Sequence, residues 1–261
     1  MMDFGMPFLM ETDTLTNSAI LCRDLGLQFI EINMNFPQCQ LSQLSADSLN
    51  SLKEKYQIYF TIHLEENLNV CEFNGKVRQA YLETAHDTME LAKLIAAPVI
   101  NMHLAKGIYI TLPDRREFLF QRYETEYLKY ILAYRSMCEA AIGDSDIRIA
   151  VENTNGFMEH EKRAIDLLLE SPCFGLTLDI GHSHAVNDMD IPFYEAHLDR
   201  LIHMHAHDAK GRKPHLAFGD GDIDLKARLS MAERAGARVV LETKTVEALT
   251  RTVHTIQNMY Q

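Results

Sequence analysis

Short apolar, β-branched runs alternate along this chain with longer stretches whose apolar residues recur at helical spacing. The strand-like runs are residues 7–10, 29–34, 58–64, 99–104, 147–153, 175–180, 201–206 and 238–243. Helical patterns occupy residues 14–24, 46–56, 76–96, 115–141, 160–169, 191–198, 225–235 and 246–259. Ser45 ahead of Ala46 and Asp114 ahead of Arg115 read as N-caps. Eight strand-then-helix units in series predict a parallel sheet closed on itself, an α/β fold of the (β/α)8 TIM-barrel class. A doubly wound open sheet is the structural alternative, but the chain has no Gly-rich first turn. The 261 residues match the roughly 250 of such a barrel. No Pro-, Gly- or Ser-rich linker and no charge block interrupts the pattern, so residues 1–261 read as a single TIM-barrel domain.

Composition narrows the class. Hydrophobic residues make up 47% and charged ones 24%, ordinary values that exclude a disordered chain. No apolar run approaches the about 20 residues that a bilayer span needs. Met1-Met2-Asp3-Phe4-Gly5 has neither a basic nor an apolar leader region, so a signal peptide is not expected. Cys22, Cys39, Cys71, Cys138 and Cys173 are odd in number and form no CxxC pair. They read as reduced thiols, and the expected location is cytoplasmic. With 37 acidic against 25 basic residues, the net charge of -12 opposes general polyanion binding.

The 12 histidines change the picture most, because many of them are gathered. The third strand ends in His63 and the fourth in His103. The fifth ends near Glu152, and the sixth offers Asp179 and His182. The seventh offers His205, with His215 in the loop beyond, and the eighth ends in Glu242. In a parallel barrel these strand ends converge on one mouth, where such enzymes keep their active sites. Any one of these residues alone reads as a satisfied polar group. Together, three carboxylates in one cleft call for a cation, and mixed imidazole and carboxylate ligands suit Zn, Mn, Co or Fe(II). No thiolate joins them, which argues against a structural Cys-type zinc site.

Other features read more plainly. His86, His160, His197 and His254 lie on helical patterns and are expected on solvated faces. His203, His205 and His207 share one side of the seventh strand, His203 in the barrel interior and His207 at the rim. His184 reads as a surface residue rather than a supporting donor. Gly219-Asp220-Gly221 reads as a turn, since no strand precedes it to make a nucleotide fingerprint. Arg115, Arg116, Arg122 and Lys129, interspersed with acids, read as a salt-bridged helix rather than an anion site. The methionines read as core filler.

Five segments carry a resemblance: Val151-Glu152-Asn153-Thr154, the run from Leu178 to His184, the run from Met204 to Gly211, the run from His215 to Asp224, and Leu241-Glu242-Thr243. In order, and across essentially the whole chain, they resemble the xylose isomerase-like barrel superfamily. That group includes sugar epimerases and isomerases, inosose isomerases and dehydratases, and the endonuclease IV group. The epimerase-like members imply one divalent metal held at the positions of Glu152, Asp179, His205 and Glu242. There the two glutamates also act as acid and base on opposite faces of the sugar, and His182 contacts substrate. The endonuclease IV group implies a three-metal cluster with further ligands at His63, His103, His182 and His215. Lys213-Pro214-His215 departs from that pattern, because Lys213 stands where an aspartate ligand is expected and a cationic Lys cannot coordinate. Lys213 reads instead as a contact to an anionic or hydroxyl-rich substrate.

The expected function is a divalent-metal-dependent isomerase or epimerase of a small sugar, polyol or sugar derivative. Glu152 and Glu242 would exchange the proton through a metal-stabilised enediolate, and dehydration of a polyol shares the same first step. Zn, Mn or Co is the expected cofactor, and the partner is a small sugar-like molecule rather than a membrane or nucleic acid. The rival reading is an endonuclease IV-like phosphodiesterase at abasic DNA, with Lys106, Arg115, Arg116, Lys210, Arg212 and Lys213 as its basic rim. A barrel that binds metal or sugar without turnover is the third. The residues leave substrate identity and oligomeric state, a homo-oligomer included, open.

Overall fold

The computed structural model describes residues 2–260, leaving Met1 and Gln261 outside. Eight parallel strands close into a barrel: β1 (Phe4–Pro7), β2 (Phe29–Asn33), β3 (Tyr59–His63), β4 (Val99–His103), β5 (Arg148–Glu152), β6 (Phe174–Asp179), β7 (Leu201–Ala206) and β8 (Arg238–Leu241). Each pairs with its sequence neighbours, and β8 closes on β1. The α/β TIM-barrel fold is therefore as the periodicity predicts, and the open sheet is excluded. Burial explains the apolar strands, since barrel residues face either the packed interior or the surrounding helices. Thr14, Ser45 and Thr245 cap three of the covering helices with their side-chain oxygens. No helix among the described residues is long and apolar enough to cross a membrane. The five cysteines are free thiols, and burial pushes Cys22 up to about 12.

Four local expectations are corrected. The first strand lies at Phe4–Pro7, three residues early, and Met10–Thr12 is a 3-10 turn. Pro7 cannot donate to the ladder and stands at the strand's end, where Phe8 N takes over by donating to Glu31 O at 2.9 Å. The sixth strand stops at Asp179, and Ile180–Ala185 is a short helix. The long helix expected over 115–141 is broken. Arg115 and Arg116 belong to a hairpin pairing Tyr109–Thr111 with Arg116–Phe118, and the helix proper is Glu124–Ile142. Arg115 does pair with Asp114 and Glu117, at 3.0 and 3.1 Å. His160 is buried rather than solvated, edge-on to Tyr127 at 5.7 Å, because its helix packs on Glu124–Ile142. His86 and His254 are exposed, and His197 is half-buried against Asp166.

Candidate metal centre at the barrel mouth

Register assembles the site. Parallel partners point the same way, and the ladder sets His103 beside Glu152 and Asp179 beside His205 at the C-terminal ends of their strands. His205 sits at the centre, buried, with Nδ1 3.1 Å from Glu152 Oε1 and 3.2 Å from Glu242 Oε2. One ligand atom each from Glu152, Asp179, His205 and Glu242 falls within a mutual 4.8 Å. Both ring nitrogens of His205 and Glu242 Oε2 are buried yet make no aligned hydrogen bond. Donor atoms about 3 to 3.5 Å apart without hydrogen-bond alignment are what ligands around a cation at about 2.1 Å look like. This donor set suits a divalent cation, which Glu152, Asp179, His205 and Glu242 could hold together.

The neighbours are ordered. Glu152 Oε2 lies 3.3 Å from both His63 Nε2 and His103 Nε2 and accepts from Asn101 Nδ2. Asp179 caps the Ile180–Ala185 helix through His182 N at 2.7 Å, and its Oδ2 is 3.3 Å from His182 Nδ1. Asn153 clamps the Asp179 backbone from both sides: Asp179 N donates to Asn153 Oδ1 at 2.8 Å, and Asn153 Nδ2 donates to Asp179 O at 3.0 Å. Glu242 Oε1 accepts from Lys244 Nζ at 2.7 Å. His215, at φ 59°, reaches the site from the hairpin pairing Asp208–Lys210 with Lys213–Leu216, its Nδ1 3.2 Å from Glu242 O. Above these residues opens a polar cavity of about 370 Å³, whose walls include His63, His103, His182, His215, Asn155 and Lys244.

Electrostatics follow from this crowding. Burial alone would raise the carboxylates, but imidazoles outweigh it. His205 and His103 hold Glu152 well below its ordinary range, His207 and His182 lower Asp179, and His205 and Lys244 lower Glu242. Against its own burial, His205 is raised well above its ordinary value by Glu152, Glu31 and Glu242. His63 is raised to about 9 by Glu152, whereas burial drops His215 to about 4.

The remaining expectations divide. His207 is not at the rim: it is fully buried, its Nε2 3.1 Å from Asp179 Oδ1 and its Nδ1 accepting from His215 N at 2.8 Å, because the hairpin folds over it. Gly181 makes room for it, since a Cβ there would meet the His207 ring at 1.8 Å. His184 is half-buried, 2.9 Å from Asp222. Gly219 and Gly221 form a turn that donates both backbone N–H groups to Asp208 Oδ2 at 2.9 Å. Lys213 is exposed on the hairpin and does not line the cavity; Lys244 does. Sequence reasoning missed Lys244, Asn101, Asn153 and Glu31. Glu31 and Asn101 did leave a signal, each being a polar residue in a mostly apolar strand, two positions before Asn33 and His103 and so on the same face.

A family description, the xylose isomerase-like TIM barrel, matches residues 20–259. The chain belongs to that family. Its relatives include an uncharacterized protein of Methanocaldococcus jannaschii, 25% identical over 86% of this chain and 83% of that one. Another, from Sinorhizobium fredii, is 27% identical over 69% of this chain, and the match spans 58% of that longer protein. Among solved structures, a D-tagatose 3-epimerase-like protein superposes with a TM-score of 0.80 at 22% identity, covering 99% of this chain and 97% of the other. The IOLI protein with a bound zinc atom superposes at 0.77 with 17% identity, covering 98% and 97%. A 3-keto-D-glucoside 4-epimerase from E. coli superposes at 0.78 with 13% identity, covering 99% and 100%.

Proposed function

We propose that this chain is a divalent-metal-dependent isomerase or epimerase of a small sugar or polyol, with Glu152 and Glu242 moving the proton. The observation that carries this reading is His205 Nδ1 lying between the two glutamates, 3.1 and 3.2 Å away, with Asp179 completing the donor set. A divalent ion, of which Zn, Mn and Co suit this set, would polarise a carbonyl and the neighbouring hydroxyl of a bound sugar. Glu152 on β5 and Glu242 just after β8 would serve the reacting carbon, one removing a proton and the other returning it. Asn101 and Lys244 fix the two carboxylates in rotation. Asn155 and Thr154 in the cavity wall offer hydrogen bonds to hydroxyls. A D-tagatose 3-epimerase-like protein, a D-allulose 3-epimerase and a 3-keto-D-glucoside 4-epimerase on the same fold support the reaction class, and the zinc in the IOLI protein supports the metal.

The test is solvent exchange. The metal-loaded protein incubated in D2O with a panel of ketoses and inososes incorporates deuterium next to the carbonyl, and Glu152→Gln and Glu242→Gln each lower the rate by about 10²- to 10⁴-fold. Undiminished exchange in both variants overturns the assignment.

One observation favours a second reading, a phosphodiesterase at abasic DNA. His63 and His103 converge on the other oxygen of Glu152, as ligands of a second ion bridged by that carboxylate would. Three of the expected rim cations are occupied, however, Arg115 by Asp114 and Glu117. Lys106 donates to Asn155 O and Gly156 O, and Arg116 lies over the Tyr109 ring. One tightly bound ion per chain favours the isomerase; three, with nicking of an abasic oligonucleotide, favour the nuclease.

A further inference from the structure

We infer that Glu31 is a positioning residue for the candidate metal centre: its buried carboxylate holds the Nε2 sides of His203 and His205 together and turns His205 Nδ1 toward Glu152 and Glu242. The inference rests on the metal-dependent reading above. Glu31 stands midway along β2 and points into the barrel one layer beneath the mouth. Its Oε2 accepts from His203 Nε2 at 2.9 Å and from Thr61 Oγ1 at 3.3 Å. Its Oε1 lies 2.9 Å from His205 Nε2, an ion-pair contact without the hydrogen-bond alignment that His203 has.

The chemistry of these groups sets the consequence. An ionised carboxylate only accepts, so a nitrogen held against it carries the proton. An imidazole whose Nε2 carries the hydrogen presents a lone pair at Nδ1, which here is the atom facing Glu152 and Glu242. His203 supplies the counterweight. It sits two residues before His205 on the same inward face of β7 and fixes the rotation of the Glu31 carboxylate, so that Oε1 is left for His205. Such outer partners orient a metal-binding imidazole and raise its basicity, and their loss typically weakens metal affinity about 10- to 100-fold.

Glu31→Gln keeps the side-chain shape but turns one acceptor into a donor. Zinc affinity is measured by competition with a chromophoric chelator, and folding by circular dichroism and melting of the metal-free protein. The folded variant is expected to bind zinc about 10- to 100-fold more weakly than wild type. Thr61→Val, which removes only the hydroxyl donor, is expected to change affinity less than about threefold. In the zinc-loaded wild-type protein, long-range 1H–15N spectra of labelled histidine are expected to show His205 protonated at Nε2 and coordinated at Nδ1. That measurement decides the matter if the variant does not fold. Coordination through Nε2, or a folded Glu31→Gln protein with wild-type affinity, overturns the role of Glu31 alone. A wild-type chain that binds no zinc overturns the metal-dependent reading with it.

Discussion

Two groups of carboxylates taken out of water behave in opposite ways. At the barrel mouth, Glu152, Asp179 and Glu242 face imidazoles and are held below their ordinary range despite burial. Behind the loop that follows β5, Glu161 accepts from Met158 N at 2.8 Å and Asp190 from Phe157 N at 2.7 Å. Burial raises Asp190, and it pushes Glu161 up to about 7. The first group is held toward its charged form and surrounds atoms that lack aligned partners. The second anchors the backbone that carries Thr154 and Asn155 into the cavity wall. What separates a cation site from a structural anchor is thus not the number of buried acids but what answers them. Imidazoles sustain the negative charge, whereas a single neutral amide does not offset the loss of water.

The largest test of this contrast removes the imidazole that answers the first group and, separately, a member of the second. His205→Ala is expected to abolish tight metal retention and lower turnover more than about 10³-fold, as loss of a proposed ligand in contact with both glutamates would entail. Glu161→Gln, equally buried, is expected to leave turnover within about threefold. Metal analysis after dialysis, with deuterium incorporation as the rate assay, checks both, and equal losses in the two variants would erase the distinction.

The next effect is in stability and its pH dependence. A carboxyl at 4.5 when unfolded and about 7 when folded binds more protons in the native state between those values. Stability therefore falls as pH rises from about 4.5 to 7, and the cost is complete above pH 7. The shift corresponds to about 3 kcal/mol. Glu161→Gln carries no such cost, so its stability relative to wild type is expected to be about 3 kcal/mol better at pH 8 than at pH 4. Urea unfolding at both pH values measures it, and a pH-independent difference would show that Glu161 is answered by more than Met158 N.

The smallest effect sharpens the mouth itself. Lys244→Met releases Glu242 Oε1 and is expected to cost about tenfold in kcat/KM, the worth of a charge-assisted hydrogen bond. Lys213→Ala, on the exposed hairpin, is expected to change it less than twofold. Steady-state kinetics on one substrate separates them, and a reversed order would return Lys213 to the site.

Much of this was legible from the chain alone. Barrel strands are short, apolar and bounded, so their number and order appear in the periodicity, and residues at strand ends converge in any closed parallel barrel. Glu152, Asp179 and His205 could be brought together without coordinates for that reason. His160 could not be placed, because its helix looks amphipathic by itself and only packing against Glu124–Ile142 buries it. His207 was set too far out, because strand parity says which way a side chain points but not what later folds over it.

The sequence by itself therefore determined the barrel, its polar mouth and the residue types gathered there, since these follow from local periodicity and parallel topology. Only the tertiary structure decided the partners. Glu31 and His203 are 172 positions apart and meet because β2 and β7 face each other across the barrel interior. Lys244 rather than Lys213 reaches the site because the loop after β8 turns inward while the hairpin tip stays in solvent. Contacts across a barrel depend on closure, and closure is a property of all eight strands together rather than of any one segment.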